Sequence, residues 1–162
     1  MLGHENGHLG QSLYQELVAG KLEGAPPPVD LADEIKAGRL IRALIREGKV
    51  SAVHDVSDGG LIVAIAEMAL AGAMGVELFP YEGRLPPYAV WFGEDQGRYV
   101  VSVNPMRAEE VLDRARLLAL PGRIVGRSGG DAISLKGEEP LALSELKAVH
   151  EAWLPQYMAA EM

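Results

Sequence analysis

His54-Asp55-Val56-Ser57-Asp58-Gly59-Gly60-Leu61 brings two carboxylates, a hydroxyl and a pair of glycines into one short stretch. Glycines let the backbone pass close to a ligand, and the first free N–H groups of a helix attract anions. Asp55 and Asp58 could hold a cation there or receive donors from a ligand, the chemistry of a magnesium–phosphate group. The same residue types suit any sharp strand-to-helix turn, with Asp58 as a helix cap, so both readings stand on spacing alone. Two further turns join glycine to charge: Gly93-Glu94-Asp95-Gln96-Gly97-Arg98 and Gly126-Arg127-Ser128-Gly129-Gly130-Asp131. Their bland reading is a solvated loop in which Arg98 pairs with Glu94, and a surface position for Arg127. His54 reads as a structural histidine at a strand end.

The elements that must position these turns follow from hydrophobic period and punctuation. Residues 12–19 read as a short helix stopped by Gly20, and residues 24–28, with three consecutive prolines, as an extended spacer. Asp30 caps a long helix on which Ile35, Leu40, Ile41, Leu44 and Ile45 share a face, with Gly48 at its end. Residues 50–54 are a strand feeding the first turn, and an apolar helix runs on to Gly72. Residues 76–79 and 99–103 read as strands, and Asn104-Pro105 opens a helix reaching Ala119. Residues 123–127 and 132–135 suggest a hairpin. A last helix starts at Ser144 and runs toward Met158, with Pro155 expected to kink or fray it. Four or five strands alternating with about five helices imply a layered α/β/α sandwich around a mixed sheet. The expected division is a lead-in over residues 1–28 and an α/β domain over residues 29–162.

A chain of 162 residues can bury a real core, and 48% hydrophobic with 23% charged residues is ordinary for a globular protein. The net charge of −8 supplies no basic field for nucleic acid or an acidic membrane. The absence of cysteine excludes disulfides, thiolate metal sites and a cysteine nucleophile, which suits a cytoplasmic location. No run approaches the roughly 18 apolar residues of a membrane helix. His4 and His8 are four apart but sit among Gly3, Gly7 and Gly10, so zinc is not expected. Ser57 lacks the nucleophile elbow of a hydrolase, and no P-loop motif occurs.

Taken together, the first turn with Ala64-Ile65-Ala66-Glu67-Met68, then Phe92-Gly93-Glu94-Asp95-Gln96-Gly97-Arg98, Ile124-Val125-Gly126-Arg127 and His150-Glu151-Ala152-Trp153 resemble a known family. Gly10-Gln11-Ser12 and Pro27-Pro28-Val29-Asp30-Leu31 extend the match to the lead-in. The family is the C-terminal domain of the aminoimidazole ribonucleotide synthetase superfamily, in its formylglycinamidine ribonucleotide synthetase (phosphoribosylformylglycinamidine synthase subunit II) branch. The resemblance implies an ATP-dependent ligase of purine biosynthesis that uses ammonia from a separate glutaminase subunit. ATP and the catalytic histidine would belong to N-terminal-type domains outside this chain, so no catalytic residue is expected here. The resemblance places magnesium at Asp55 and a substrate loop at Glu94, Asp95 and Gln96, with Ser57, Asp58, Gly59, Gly60 and Arg98 as auxiliary ligand or phosphate contacts. Asp95 stands where the family carries a serine, and the closing segment marks a second copy, so Asp55, Glu94 and Gln96 are expected to be vestigial. The implied partners are the ATP-binding domains of the same polypeptide, the glutaminase and small accessory subunits. Self-association of the isolated chain is expected through Trp91, Phe92 and the helix over residues 61–70. The competing reading is a stand-alone phosphate-binding or regulatory module.

Overall fold

The computed structural model describes residues 1–160, so the last two positions of the expected 29–162 domain lie outside the described residues. Contacts divide the chain into two compact units. One comprises Met1–Ile65 with Tyr81–Ile124; the other comprises Ala66–Pro80 and the residues from Val125 on.

In the first unit, Ser12 caps α1 (Leu13–Ala19) by accepting from the Gln15 N–H, and Gly20 ends it in the left-handed region. Asp30 caps α2 (Leu31–Arg46) by accepting from the N–H groups of Ala32 and Asp33. The buried stripe of α2 is Ala37, Leu40, Ile41 and Leu44, while Ile35 and Ile45 are exposed. The expected face was therefore rotated: on a 3.6-residue period Ala37 falls beside Leu40, Ile41 and Leu44, and Ile35 falls opposite them. β1 (Ala52–Val56) pairs antiparallel with β3 (Arg98–Ser102), with Asp55 opposite Tyr99 and Val56 opposite Arg98. The other edge of β3 is covered by the chain start, where Leu2 exchanges both backbone hydrogen bonds with Tyr99 and bridges Gly122 on its far side. A short helix, α4 (Pro87–Phe92), leads into the Gly93 turn, and a 3-10 turn (Pro105–Arg107) opens α5 (Ala108–Leu117).

The core of this unit joins Leu2, α2 and α5 through Leu40, Ile41, Leu44, Val111, Ala115 and Leu120, with Val53, Tyr99 and Val101 packed against it. Leu44 has no exposed surface. Truncation of Leu44 to alanine is expected to cost about 2–5 kcal/mol in chemical melts, because the site cannot collapse around the void.

The second unit holds a four-stranded mixed sheet in the order β4-β2-β5-β6, built from β2 (Val76–Leu78), β4 (Gly126–Ser128), β5 (Ala132–Leu135) and β6 (Leu141–Ala142). The expected hairpin of the last turn is corrected here: β4 and β5 do not pair. β2 lies between them, antiparallel to β4 and parallel to β5. Gly75 makes this possible, since a Cβ there would lie 2.3 Å from the Ala132 carbonyl oxygen and 2.9 Å from that of Gly129. With hydrogen alone at Gly75, residues 129–132 close around the strand start, and the Gly75 N–H reaches the Gly130 carbonyl at 2.9 Å. α3 (Gly60–Gly72) begins in the first unit and ends in the second. α6 (Leu143–Ala160) runs on through Pro155, which therefore does not end it.

Of the surface expected to face a neighbour, Leu61, Ala64, Ile65, Ala69 and Trp91 are buried, while Ile62, Val63, Met68 and Leu70 of α3 are half-buried. Phe92 is half-buried against Tyr14, with ring centroids 5.1 Å apart.

Candidate functional site

Alternation along the β1–β3 ribbon separates the expected ligand residues. Val53, Asp55, Tyr99 and Val101 share the face that packs on α2 and α5, whereas His54, Val56, Arg98 and Val100 point the other way. Asp55 lies within β1 rather than in the turn, and its side chain is 68% exposed with the His54 ring 3.9 Å away. Among the described residues, no three His, Cys, Asp or Glu side chains come together to hold a metal ion. Asp55 presents its carboxylate to solvent at the end of β1 that leads into the turn. Ser57 and Asp58 are exposed at the turn itself.

Glu94, Asp95 and Arg98 are buried, which makes them the centre of a polar knot rather than a solvated loop. Glu94 Oε1 accepts from the Gly59 N–H at 2.8 Å and from the Leu13 N–H, at the start of α1, at 2.9 Å. Gly60 brings the two segments together, since a Cβ on it would lie 2.6 Å from Gly93 O and Phe92 C, and its φ is +74°. The Gly60 N–H donates to the Ser57 carbonyl. Both amides of the Gly-Gly pair are thus committed, one of them to a carboxylate that belongs to the protein.

Asp95 performs the same task for the lead-in. Its Oδ2 accepts from the N–H groups of Asn6 and Gly7 at 3.0 and 2.9 Å, and its Oδ1 from that of His8 at 3.2 Å. Such a nest of successive amides is an anion-binding device, filled here from within. Arg98 donates through Nε to the Asp95 carbonyl at 3.1 Å and through Nη2 to the Gly93 carbonyl. Its charge faces the Asp95 carboxylate at 3.9 Å, so its ion partner is Asp95 and not Glu94. Burial lowers the Arg98 pKa from its ordinary value, against the opposing pull of Asp95, and its Nη1 is enclosed without an acceptor. Burial, with Glu34 and Asp55 nearby, pushes the Tyr99 phenol upward.

A groove of about 390 Å³ opens beside the knot, lined among others by His4, Asp30, Asp33, Glu34, Asp95 and Gln96. Only Asp95 and Gln96 of the expected site residues reach it; Asp55, Ser57, Asp58, Gly59, Gly60, Glu94 and Arg98 do not. Gln96 is exposed and reaches the Glu94 carbonyl at 3.5 Å. His4, set aside in the sequence for want of ligand spacing, contacts Asp33 at 3.1 Å, and the Lys36 ammonium holds the Asp33 carboxyl below its usual range. This contact joins residues far apart in the chain, so no local pattern could announce it. The lining is acidic and repels phosphate. The third glycine turn belongs to the second unit, where Gly126, Arg127 and Ser128 form β4.

Against this geometry stand the comparisons with known proteins. Residues 1–136 match the family described as AIR synthase related protein, C-terminal domain. The chain is 50% identical over 162 residues to the phosphoribosylformylglycinamidine synthase subunit PurL of Methylocella silvestris, covering all of this chain and 22% of the relative. Among solved structures, PurL of Thermotoga maritima complexed with ATP superposes with a TM-score of 0.67 at 18% identity, over 88% of this chain and 24% of that one. The PurLQS structure from the same organism superposes with a TM-score of 0.64 at 18% identity, over 83% and 24%. The structural likenesses bear on the fold. The chain spans about 22% of the length of the curated relatives it matches.

Proposed function

The chain belongs to the AIR synthase related protein family, as its C-terminal domain, and from that premise we propose that it is the terminal α/β domain of a larger ATP-dependent ligase. That ligase converts formylglycinamide ribonucleotide, ATP and ammonia to formylglycinamidine ribonucleotide in the cytoplasm. In this reading the chain serves as a scaffold: the Glu94 carboxylate on the Gly59 and Leu13 amides carries it, because it occupies the position a ligand phosphate would take. The same bond disfavours a stand-alone phosphate-binding module, which would need those amides open. ATP and any magnesium would be held by the domains that make up the rest of such a polypeptide, with a glutaminase and accessory subunits supplying ammonia. The ATP-complexed and PurLQS structures of the Thermotoga maritima protein support this assignment by fold.

Calorimetric titration of the purified chain with magnesium–ADP, and separately with formylglycinamide ribonucleotide, tests the reading. No saturable heat is expected from either, alongside a cooperative melt. Saturable binding of either ligand overturns the scaffold assignment. In the complete ligase, Asp55→Asn is expected to leave turnover within about threefold of wild type, as for an exposed surface carboxylate.

A further inference from the structure

The outer face of α2 carries three local costs that nothing inside the molecule offsets. Ile35, Gly38, Arg39, Arg42, Ile45 and Arg46 fall on one side of the helix, opposite the buried Ala37, Leu40, Ile41 and Leu44. The first cost is apolar exposure, 53% for Ile35 and 52% for Ile45. The second is charge: Arg39 and Arg42 are three apart and Arg42 and Arg46 four apart, like-charge neighbours that weaken a helix. Arg46 suits the negative end of the helix dipole, but Arg39 and Arg42 lie too far inside to gain from it. Among the described residues none of the three pairs with a carboxylate: Asp33 is taken by Lys36, Glu47 by Arg114, and Glu34 lines the groove. Arg42 Nε instead reaches back to the Gly38 carbonyl at 3.2 Å. The third cost is Gly38 itself, since glycine inside a helix is less stable than alanine. Its φ is not left-handed, and a Cβ there would meet no atom within 4 Å, so no packing within the chain requires it.

One kind of partner relieves all three. A bare glycine on a helix surface lets a second backbone approach closely, and Ile35 and Ile45 offer apolar contact on either side of that point. Guanidinium forks match carboxylates, which would also remove the repulsion among the arginines. The matching surface is small and apolar along its centre and acidic along its edges, the pattern of an acidic amphipathic helix. An extended polyanion or an anionic membrane meets the whole chain and is repelled by its net charge of −8, and neither gains from the notch at Gly38. A short acidic helix meets only the local positive stripe, within the reach that salt leaves to exposed charges.

We propose that the outer face of α2 is a docking surface for an acidic amphipathic helix of a partner protein, seated over Gly38 with its carboxylates on Arg39, Arg42 and Arg46. The probe is a designed helical peptide with a leucine–alanine seam flanked by glutamates, titrated against the chain by fluorescence anisotropy. Saturable micromolar binding is expected, as for a small transient interface. Arg42→Glu, Gly38→Leu and a peptide with glutamine in place of glutamate should each weaken it at least about tenfold. Arg84→Glu, an exposed charge reversal outside α2, should leave it within about twofold. Gly38→Ala and Arg42→Glu should melt no lower than wild type, because each removes a cost of the free helix. A chain that binds no such peptide overturns the proposal, as does binding indifferent to Arg42→Glu and Gly38→Leu. A melt lowered by Gly38→Ala also overturns it, by assigning the glycine to the chain's own packing. Tighter binding of heparin or of phosphatidylserine vesicles than of the peptide overturns it in favour of a polyanion or a membrane. A peptide bound by the chain but not by the complete ligase does so in favour of another part of that polypeptide.

Discussion

In the isolated 162-residue chain, acetylating the Met1 α-amino group is expected to raise stability by about 3 kcal/mol near pH 6 and to leave it unchanged above pH 8. Met1 is buried, with its amino group donating to the Arg123 carbonyl at 2.8 Å while the Arg123 N–H returns a bond to the Met1 carbonyl at 3.0 Å. These are the paired bonds of an antiparallel ladder, a place for a neutral amide. Burial, reinforced by the Arg123 charge and opposed by Glu5, lowers the pKa of this amine from 8.0 to about 5. A base whose pKa falls on folding binds its proton more tightly in the unfolded chain. Stability is therefore undiminished above pH 8, declines by about 1.4 kcal/mol per unit as pH drops, and levels off below pH 5 with about 4 kcal/mol lost. An acetylated amine keeps the bond and has nothing to titrate. Carboxylates elsewhere titrate equally in both forms, so the difference between two series of urea melts isolates the amine. A difference that stays flat from pH 5 to pH 8 would show that the amine is hydrated in the folded chain.

Local chemistry made much of this architecture legible, and long-range contact explains the remainder. Ser12, Gly20, Asp30 and Asn104 act where the sequence placed them, because a cap needs only the neighbouring N–H groups. The α/β class and the places of β1 to β5 followed from strand and helix periods, whereas the two-residue β6 carried no such signal and the expected single sheet is divided into one of two strands and one of four. Nor did the order within the four-stranded sheet follow, since the insertion of β2 between β4 and β5 turns on the backbone approach at Gly75. The residues of the three charged turns were correctly singled out as unusual, but composition could not say what their charges face. Glu94 and Asp95 bind amides that lie 35 to 89 positions away in sequence, which no spacing rule reports. Asp55 and Arg98 sit on opposite faces of one ribbon because Arg98 pairs with Val56, and Asp55, one residue earlier in β1, points the other way.

Replacement of Asp95 by alanine carries the second large effect, a loss of about 3–5 kcal/mol. The carboxylate serves three N–H groups of residues 6–8 and faces the buried Arg98 guanidinium. Without it the amides have no acceptor, and a cation with one N–H already unserved loses its counter-charge. The amides can recover by leaving for water, so the strain is relieved through detachment of the lead-in. Limited proteolysis should then cut within residues 3–12 of the variant well before the rest of the chain melts. Pairing Asp95→Asn with Arg98→Met in a double-mutant cycle should return a coupling of about 0.5–3 kcal/mol, as expected of groups in contact. The sign of the Asp95→Ala change also discriminates between roles. A carboxylate poised for a ligand is held at the expense of the free fold, and its removal raises stability. A carboxylate that ties the chain to itself lowers stability when lost, and the three short bonds from Asn6, Gly7 and His8 place Asp95 in that second class.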